Sequence, residues 1–284
     1  MHKKVTLFCY TTFMTFFGTL EKILQTEKPQ DKIAAFKHFY TAYLKGQFPY
    51  HDSTPPKVFT SPSFASTCQI VDATTMPKRT ALSTTEGKAY LMHAIAHIEY
   101  SAVDLALDHA YRFRHMPQQF YDDWLEVADD EIRHFLLCET LLKRHGYHYG
   151  SFDVHAFLFD ISQKSLDLVT RMAVVPRHLE ASGLDANPQM IAKLSKHHDS
   201  FAKESIETLE LILKEEVSHV KKGDYWFKWA CKKEGIDPKE YFNIVTRILP
   251  SAKNKKPFIN IKARQKAGFS CDELRILSNQ KCED

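Results

Sequence analysis

The chain has 284 residues, a hydrophobic fraction of 44%, a charged fraction of 26% and a formal net charge of +3 at pH 7. Length and composition are those of an ordinary soluble globular protein with one large domain, or one domain with an appended segment. So small a positive surplus singles out no polyanionic partner. The 9 glycines form no G-x-G-x-x-G, Walker A or G-x-S-x-G string, and H-E-x-x-H is absent, so nucleotide-loop proteins, α/β-hydrolases and zinc proteases of those types are excluded.

Val5–Leu20 follows two lysines, but threonines interrupt it and no small-x-small cleavage site follows. It is also shorter than the roughly 20 apolar residues that cross a bilayer. It reads as part of an amphipathic helix continuing through Leu20, Ile23 and Leu24, with no membrane partner. Ile33, Phe36, Phe39, Tyr40, Tyr43 and Leu44 recur at helical spacing, and Gly46 is a plausible stop, so residues 1–48 form a helical hairpin. Residues 49–82 hold five of the 12 prolines and read as an extended segment packed over a helical bundle, with disorder as the alternative.

Ser83 with Glu86 three positions on makes a capping box for a helix that runs to about Phe113. Pro117 opens a second helix, which continues to His145 and stops at Gly146. A third covers about 157–182 and ends near Gly183, with a kink at Pro176. A short helix over 188–198 precedes a fourth long one over 200–222, which Gly223 separates from 225–233. Asp237-Pro238 opens a last helix before a basic tail. Six cysteines (Cys9, Cys68, Cys138, Cys231, Cys271, Cys282) show no C-x-x-C pair, which fits free thiols in a reducing cytoplasm.

Two strings carry the chemistry: Glu131-x-x-His134 and Glu216-x-x-His219. Residues three apart share a helix face, so each string presents two ligands to one point. A lone helical glutamate precedes each, Glu99 by 32 positions and Glu180 by 36. One Glu-x-x-His is usually a solvated surface pair. The repeated order Glu, Glu-x-x-His is the ligand set with which ferritin-like four-helix bundles hold two metal ions. The expected fold is therefore all-α: a ferritin-like four-helix bundle over 83–234, with the helical hairpin and extended segment of 1–82 before it and a C-terminal helix and tail, 235–284, after it.

The flanks are apolar: Met92, Ala96, Ala102, Val103 and Ala106 around Glu99; Trp124, Val127, Ala128, Phe135 and Cys138 around Glu131 and His134; Leu209, Ile212, Leu213 and Val220 around Glu216 and His219. Buried carboxylates cost several kcal/mol each unless paired or coordinated. Four carboxylates and two neutral imidazoles carry a charge of −4, which two divalent ions cancel. Mixed oxygen and nitrogen donors suit iron or manganese better than zinc or calcium. The expected roles are terminal ligands for Glu99 and Glu180, bridges for Glu131 and Glu216, and one nitrogen ligand per metal for His134 and His219. Asp104, Asp130 and Tyr100 are candidates to hydrogen-bond the ligands, with Glu215 and Asp130 as fallback ligands. His97 and Glu99 are two apart and cannot both face inward, and the same holds for His178 and Glu180.

These residues lie in longer strings that resemble a known family. His93–Glu99 (HAIAHIE), Asp104–Asp108 (DLALD), Tyr111–Phe113, Phe120–Trp124 and Val127–Asp129 are similar to its first-half signature. Val175–Arg177, Leu179–Ala181, Gly183–Asp185, Glu216–Val220 and Trp226–Trp229 match its second half. Lys256–Phe258, Ala263-Arg264 and Ala267–Ser270 match its carboxyl-terminal tag. The chain is identified, from about Phe16 to Leu277, as a member of the ferritin-like "domain of unknown function 455" family. That family is thought to be related to di-iron monooxygenases that hydroxylate a modified adenosine of tRNA. The resemblance implies the fold and the metal site, and it supplies no substrate.

The function expected is an O2-dependent oxidoreductase or hydroxylase with two iron ions, or iron and manganese. It would draw on an external electron donor, because the chain has no flavin or nicotinamide fingerprint. An RNA substrate would find Lys253, Lys255, Lys256, Lys262, Arg264 and Lys266 in the tail, although such runs are more often simply solvated. The alternatives are a non-catalytic iron-binding or iron-handling protein, and a metal-free helical scaffold.

Overall fold

The computed structural model describes residues 15–48, 54–76 and 81–283. Apart from one isolated parallel bridge between Ile70 and Val154, every regular element among them is helical, as expected. Helices α1 (Phe16–Gln25) and α2 (Pro29–Tyr43) form the N-terminal hairpin; Val5–Met14 lie outside the described residues. Thr15 caps α1 by accepting the Gly18 N–H at 3.1 Å. Phe16, Phe17, Leu20 and Ile23 bury one face of α1, which packs on α3 (Thr85–Arg112), while α2 packs on α4 (Gln118–Arg144). Lys32 of α2 is fully buried and paired with Asp104 of α3. An unpaired ammonium there would cost several kcal/mol.

Helix α3 starts one residue later than expected. Thr84, not Ser83, accepts the Gly87 N–H at 3.0 Å, so Glu86 falls at the second helical position rather than the third. Helix α4 ends where expected, with Gly146 just beyond it in the left-handed region at φ +83°.

The single helix expected over 157–182 is broken. Helix α5 (Phe157–Gln163) stops, and α6 (Leu168–Val174) restarts after Asp167, which caps it by accepting the Thr170 N–H at 2.8 Å. Arg171 holds the break together. Its buried guanidinium donates to the carbonyls of Ser162 and Ser165 at 2.7 and 2.8 Å, and to Asp108 at 2.6 Å. One buried cation thus adds hydrogen bonds to two carbonyls at a helix end.

The kink expected at Pro176 is a π-helical turn, Val175–Glu180. Proline donates no N–H and its ring crowds the preceding turn, and a local widening of the helix relieves both. Helix α7 (Ala181–Leu194) follows directly, so Gly183 ends nothing, and the separate helix expected from residue 188 is the second half of α7 with Pro188 inside. Helix α8 (Ser200–Glu234) is also continuous. Gly223 does not break it but faces Pro176, and the helix stops at Gly235, where φ is +67°. Helix α4 packs on both α3 and α8, and the π turn and α7 lie along α8. These elements enclose one core that includes Met92, Val103, Trp124, Phe135, Met172 and Ile212.

Helices α9 (Tyr241–Ile248), α10 (Ile261–Lys266) and α11 (Cys271–Leu277) close the chain. The basic tail is not wholly solvated: Arg264 is buried against Asp185 at 2.7 Å, and Lys256 reaches the same carboxylate at 3.1 Å. The cysteine reading needs correction too. Cys271 and Cys282 form a disulfide, whereas Cys68, Cys138 and Cys231 are free and buried; Cys9 lies outside the described residues. Spacing gave no hint of the bond, because it depends on the tail folding back beside α11. No helix among the described residues is long and apolar enough to cross a membrane.

Candidate metal centre

Helices α3, α4 and α8 bring Glu99, Glu131, His134 and Glu216 together in the interior. Each offers one donor atom, and these atoms lie within 4.8 Å of one another. This buried cluster could hold a metal ion. Helical periodicity puts the four on inward faces, since the apolar residues three and four positions away pack into the same core. His219 joins through Nδ1, which is 3.1 Å from Glu131 Oε1 and 3.7 Å from Glu216 Oε1. His134 Nδ1 is 3.2 Å from Glu99 Oε2 and 3.4 Å from Glu131 Oε2. Glu131 therefore lies between the two imidazoles, whose ring centroids are 5.9 Å apart. Glu180 ends the π turn beside the cluster, close enough for Glu216, Glu131 and Glu99 to act on its charge.

The outer nitrogens of the two imidazoles are held reciprocally. His134 of α4 turns Nε2 to Glu215 of α8 at 2.7 Å, and His219 of α8 turns Nε2 to Asp130 of α4 at 3.1 Å. A carboxylate accepts only, so each outer Nε2 carries a hydrogen, while each inner Nδ1 faces the carboxylates of the cluster. Arg133 ties the outer carboxylates together, donating to Glu215 at 2.7 Å and to Asp130 at 2.5 Å. Glu215 and Asp130 are thus positioning groups in this arrangement. The signal for them was the acidic neighbour immediately before each Glu-x-x-His glutamate. Nothing in the sequence pointed to Arg133.

Charge in the cluster is badly balanced without cations. Burial, then the charge of Glu131, pushes Glu99 well above the ordinary carboxyl value. Burial and Glu216 do the same to Glu180, and burial and Glu131 raise Glu216. Burial would also raise Glu131, but hydrogen bonds from His134 and His219 overcome it and hold this carboxylate low. Burial works against charge on His134, yet Glu131 and Glu99 lift it to about 11. Burial is likewise overcome at His219, which Asp130, Glu131 and Glu216 raise well above its usual value. One oxygen each on Glu131, Glu180 and Glu216 is buried without a hydrogen bond. Buried polar atoms are rarely left so.

The competing side chains lie elsewhere. His97 is buried but points away, with Nδ1 on Tyr149 at 3.0 Å and Nε2 on the His155 carbonyl at 2.9 Å. His178 packs against Tyr241, 3.3 Å from its hydroxyl. Asp104 is taken by Lys32 and Ser63. Tyr100 packs at a tilt against Phe135, with ring centroids 5.0 Å apart, and walls the core.

Fold and site together define an all-helical protein with a buried Glu/His cluster able to hold a metal ion. The chain belongs to the family described as "Protein of unknown function (DUF455)", which matches residues 25–275. It is similar to an uncharacterized protein of Haemophilus influenzae, at 36% identity over 272 residues that span 91% of this chain and 92% of that one. No solved structure matches it.

Proposed function

We propose that Glu99, Glu131, His134, Glu180, Glu216 and His219 hold two divalent metal ions, iron or iron with manganese. In this reading, α3, α4, α8 and the α6–α7 run form a ferritin-like four-helix bundle, and the protein is an O2-dependent oxidoreductase of hydroxylase type. The observation that carries the proposal is the reciprocal holding of His134 by Glu215 and of His219 by Asp130. It anchors the outer nitrogen of each imidazole, so that each inner Nδ1, once it gives up its proton, would be free to ligate a metal beside the shared carboxylate of Glu131.

The donor set fits the ions. Four carboxylates cancel two divalent charges, and the bare oxygens on Glu131, Glu180 and Glu216 would gain partners. Glu99, Glu131, Glu180 and Glu216 would supply the carboxylate ligands, and His134 and His219 one nitrogen each. Bound metals would supply O2 activation and electron transfer. The chain's own part is to hold each imidazole through Asp130 and Glu215, and to keep water out with Tyr100, Trp124 and Phe135, all fully buried. Electrons come from an external donor.

Titrating metal-free protein with ferrous ion, with O2 uptake followed, tests this reading. Oxidation that saturates at about two irons per chain supports it. Continued oxidation with growth of a mineral would instead assign an iron-handling role, and no oxidation would end the O2 reading.

A further inference from the structure

Residues 256–283 form a strap that clasps the segment carrying Glu180 from both ends. Before Glu180, Arg177 of the π turn donates to Glu273 of α11 at 2.7 Å. After it, Arg264 of α10 donates to the carbonyl of Ala181 at 3.0 Å and to both carboxylate oxygens of Asp185 at 2.8 and 2.7 Å. Lys256 adds Ser182 and Asp185 at 3.0 and 3.1 Å. Phe269 lies against both guanidiniums, 4.5 Å from that of Arg177 and 5.1 Å from that of Arg264. Both arginines are buried. Displacing the strap would pull Arg264 away from Asp185 and leave Arg177 with Asp224 of α8, at 2.7 Å, as its carboxylate partner. The strap therefore helps hold the π turn in place.

The Cys271–Cys282 disulfide closes the strap on itself. The side-chain amide of Gln265 donates to both sulfurs at 3.6 Å and to the Glu283 carbonyl at 3.0 Å. Among the described residues beyond α11 there is no regular element, and the cross-link ties the tail covalently to the helix that carries Glu273.

We propose that Cys271 and Cys282 are a thiol–disulfide site, with small thiols and disulfides of the glutathione type as reactants, whose closure latches the strap on the π turn. To open it, a thiolate attacks Sγ of Cys282, which at 9% is more exposed than Cys271 at 4%. The bond between the two cysteines breaks, and Cys271 leaves as a thiolate that takes up a proton. A second thiol attacks the mixed disulfide and releases a small disulfide and the Cys282 thiolate, which is protonated in turn. The protein gains two electrons and two protons, and two thiols become one disulfide. Closure is the reverse, with the small disulfide as oxidant. Opening restores chain freedom to the strap and loosens what it holds. The consequence for Glu180 as a ligand rests on the proposed metal site; the latch itself does not.

The test uses full-length, metal-free protein equilibrated with reduced or with oxidised glutathione, followed by alkylation mass spectrometry and amide hydrogen exchange. In reduced buffer Cys271 and Cys282 become alkylated, and amides over 177–185 exchange about tenfold faster or more than in oxidised buffer. The double variant Cys271→Ser, Cys282→Ser shows the faster exchange in both buffers. Glu273→Gln speeds exchange at Arg177 with the disulfide intact. A bond that persists in reduced glutathione, or never forms in oxidised glutathione, overturns the proposal. So does exchange over 177–185 that ignores the redox state or the Glu273 change. No metal enters the measurement, so its failure is separate from failure of the metal reading.

Discussion

Gly223 of α8 and Pro176 of the π turn approach so closely that no side chain fits between them. A Cβ on Gly223 would lie 2.6 Å from the Pro176 Cβ and 2.9 Å from its Cγ. The proline distorts its helix, and the glycine lets the distorted turn press against α8. Four residues after Pro176 comes Glu180; seven before Gly223 comes Glu216. Their contact helps set the register in which these two glutamates face each other.

Gly223→Ala should therefore destabilise the protein by about 1–3 kcal/mol, the usual cost of overpacking against a stiff ring. Gly183→Ala, in α7 with nothing within 4 Å of the added carbon, should be neutral or stabilise by up to about 1 kcal/mol. Denaturant midpoints of the two variants read the contrast. Equal effects would mean that the close approach does not matter.

The same pair shows what could be read in advance. Glu131, His134, Glu216 and His219 were legible because the i,i+3 spacing and apolar flanks lie within a single helix. The kink at Pro176 was legible from the proline alone, but its contact with Gly223 was not, because the two lie 47 positions apart and meet across two helices. Gly223 looked like a helix break for want of knowledge of its neighbour. Arg171 was missed for a similar reason: a buried guanidinium that repairs a helix end has no periodicity. The capping box at Ser83 failed by one residue because adjacent Ser83 and Thr84 can both cap, and local spacing does not choose between them.

Arg133 is half-exposed, so its ion pairs should add less than about 1 kcal/mol to stability. Its role is to hold Glu215 and Asp130 against His134 and His219. Arg133→Ala and Glu215→Ala should each weaken metal binding about 10–100-fold, with little change in the metal-free melting temperature. Glu216→Ala should abolish two-metal binding. Competition with a chelator of known affinity measures all three, and equal losses in Glu215→Ala and Glu216→Ala would make Glu215 a direct ligand.

Burial, and then Glu131 and Glu216 respectively, push Glu99 and Glu180 well above the ordinary carboxyl value in the metal-free protein. Metal ligation needs deprotonated donors and works against that shift, so apparent affinity should rise with pH. Calorimetric titrations at pH 7 in two buffers of different ionisation enthalpy should show net proton release. Identical heats in the two buffers would contradict the picture.

His93 provides a pH dependence remote from these ligands. Burial, then the charges of His97 and His148, holds it down at about 4, and its Nε2 accepts the Gly150 N–H at 2.9 Å. The unfolded chain takes up this proton first, near pH 6.5. The contribution is therefore whole above that value and is lost as pH falls toward 4. Between pH 7 and 4 the wild type should lose about 3 kcal/mol more than His93→Gln does. Parallel stability profiles for the two proteins would refute the assignment.

Metal content per chain is the most direct test of the centre itself. Protein produced with iron, dialysed and analysed by mass spectrometry for all transition metals should carry about two ions per chain. Glu131→Ala, which removes the carboxylate between both imidazoles, should carry none. Wild-type protein that stays metal-free under iron and manganese loading, or a Glu131→Ala variant that keeps both ions, would contradict a two-metal centre.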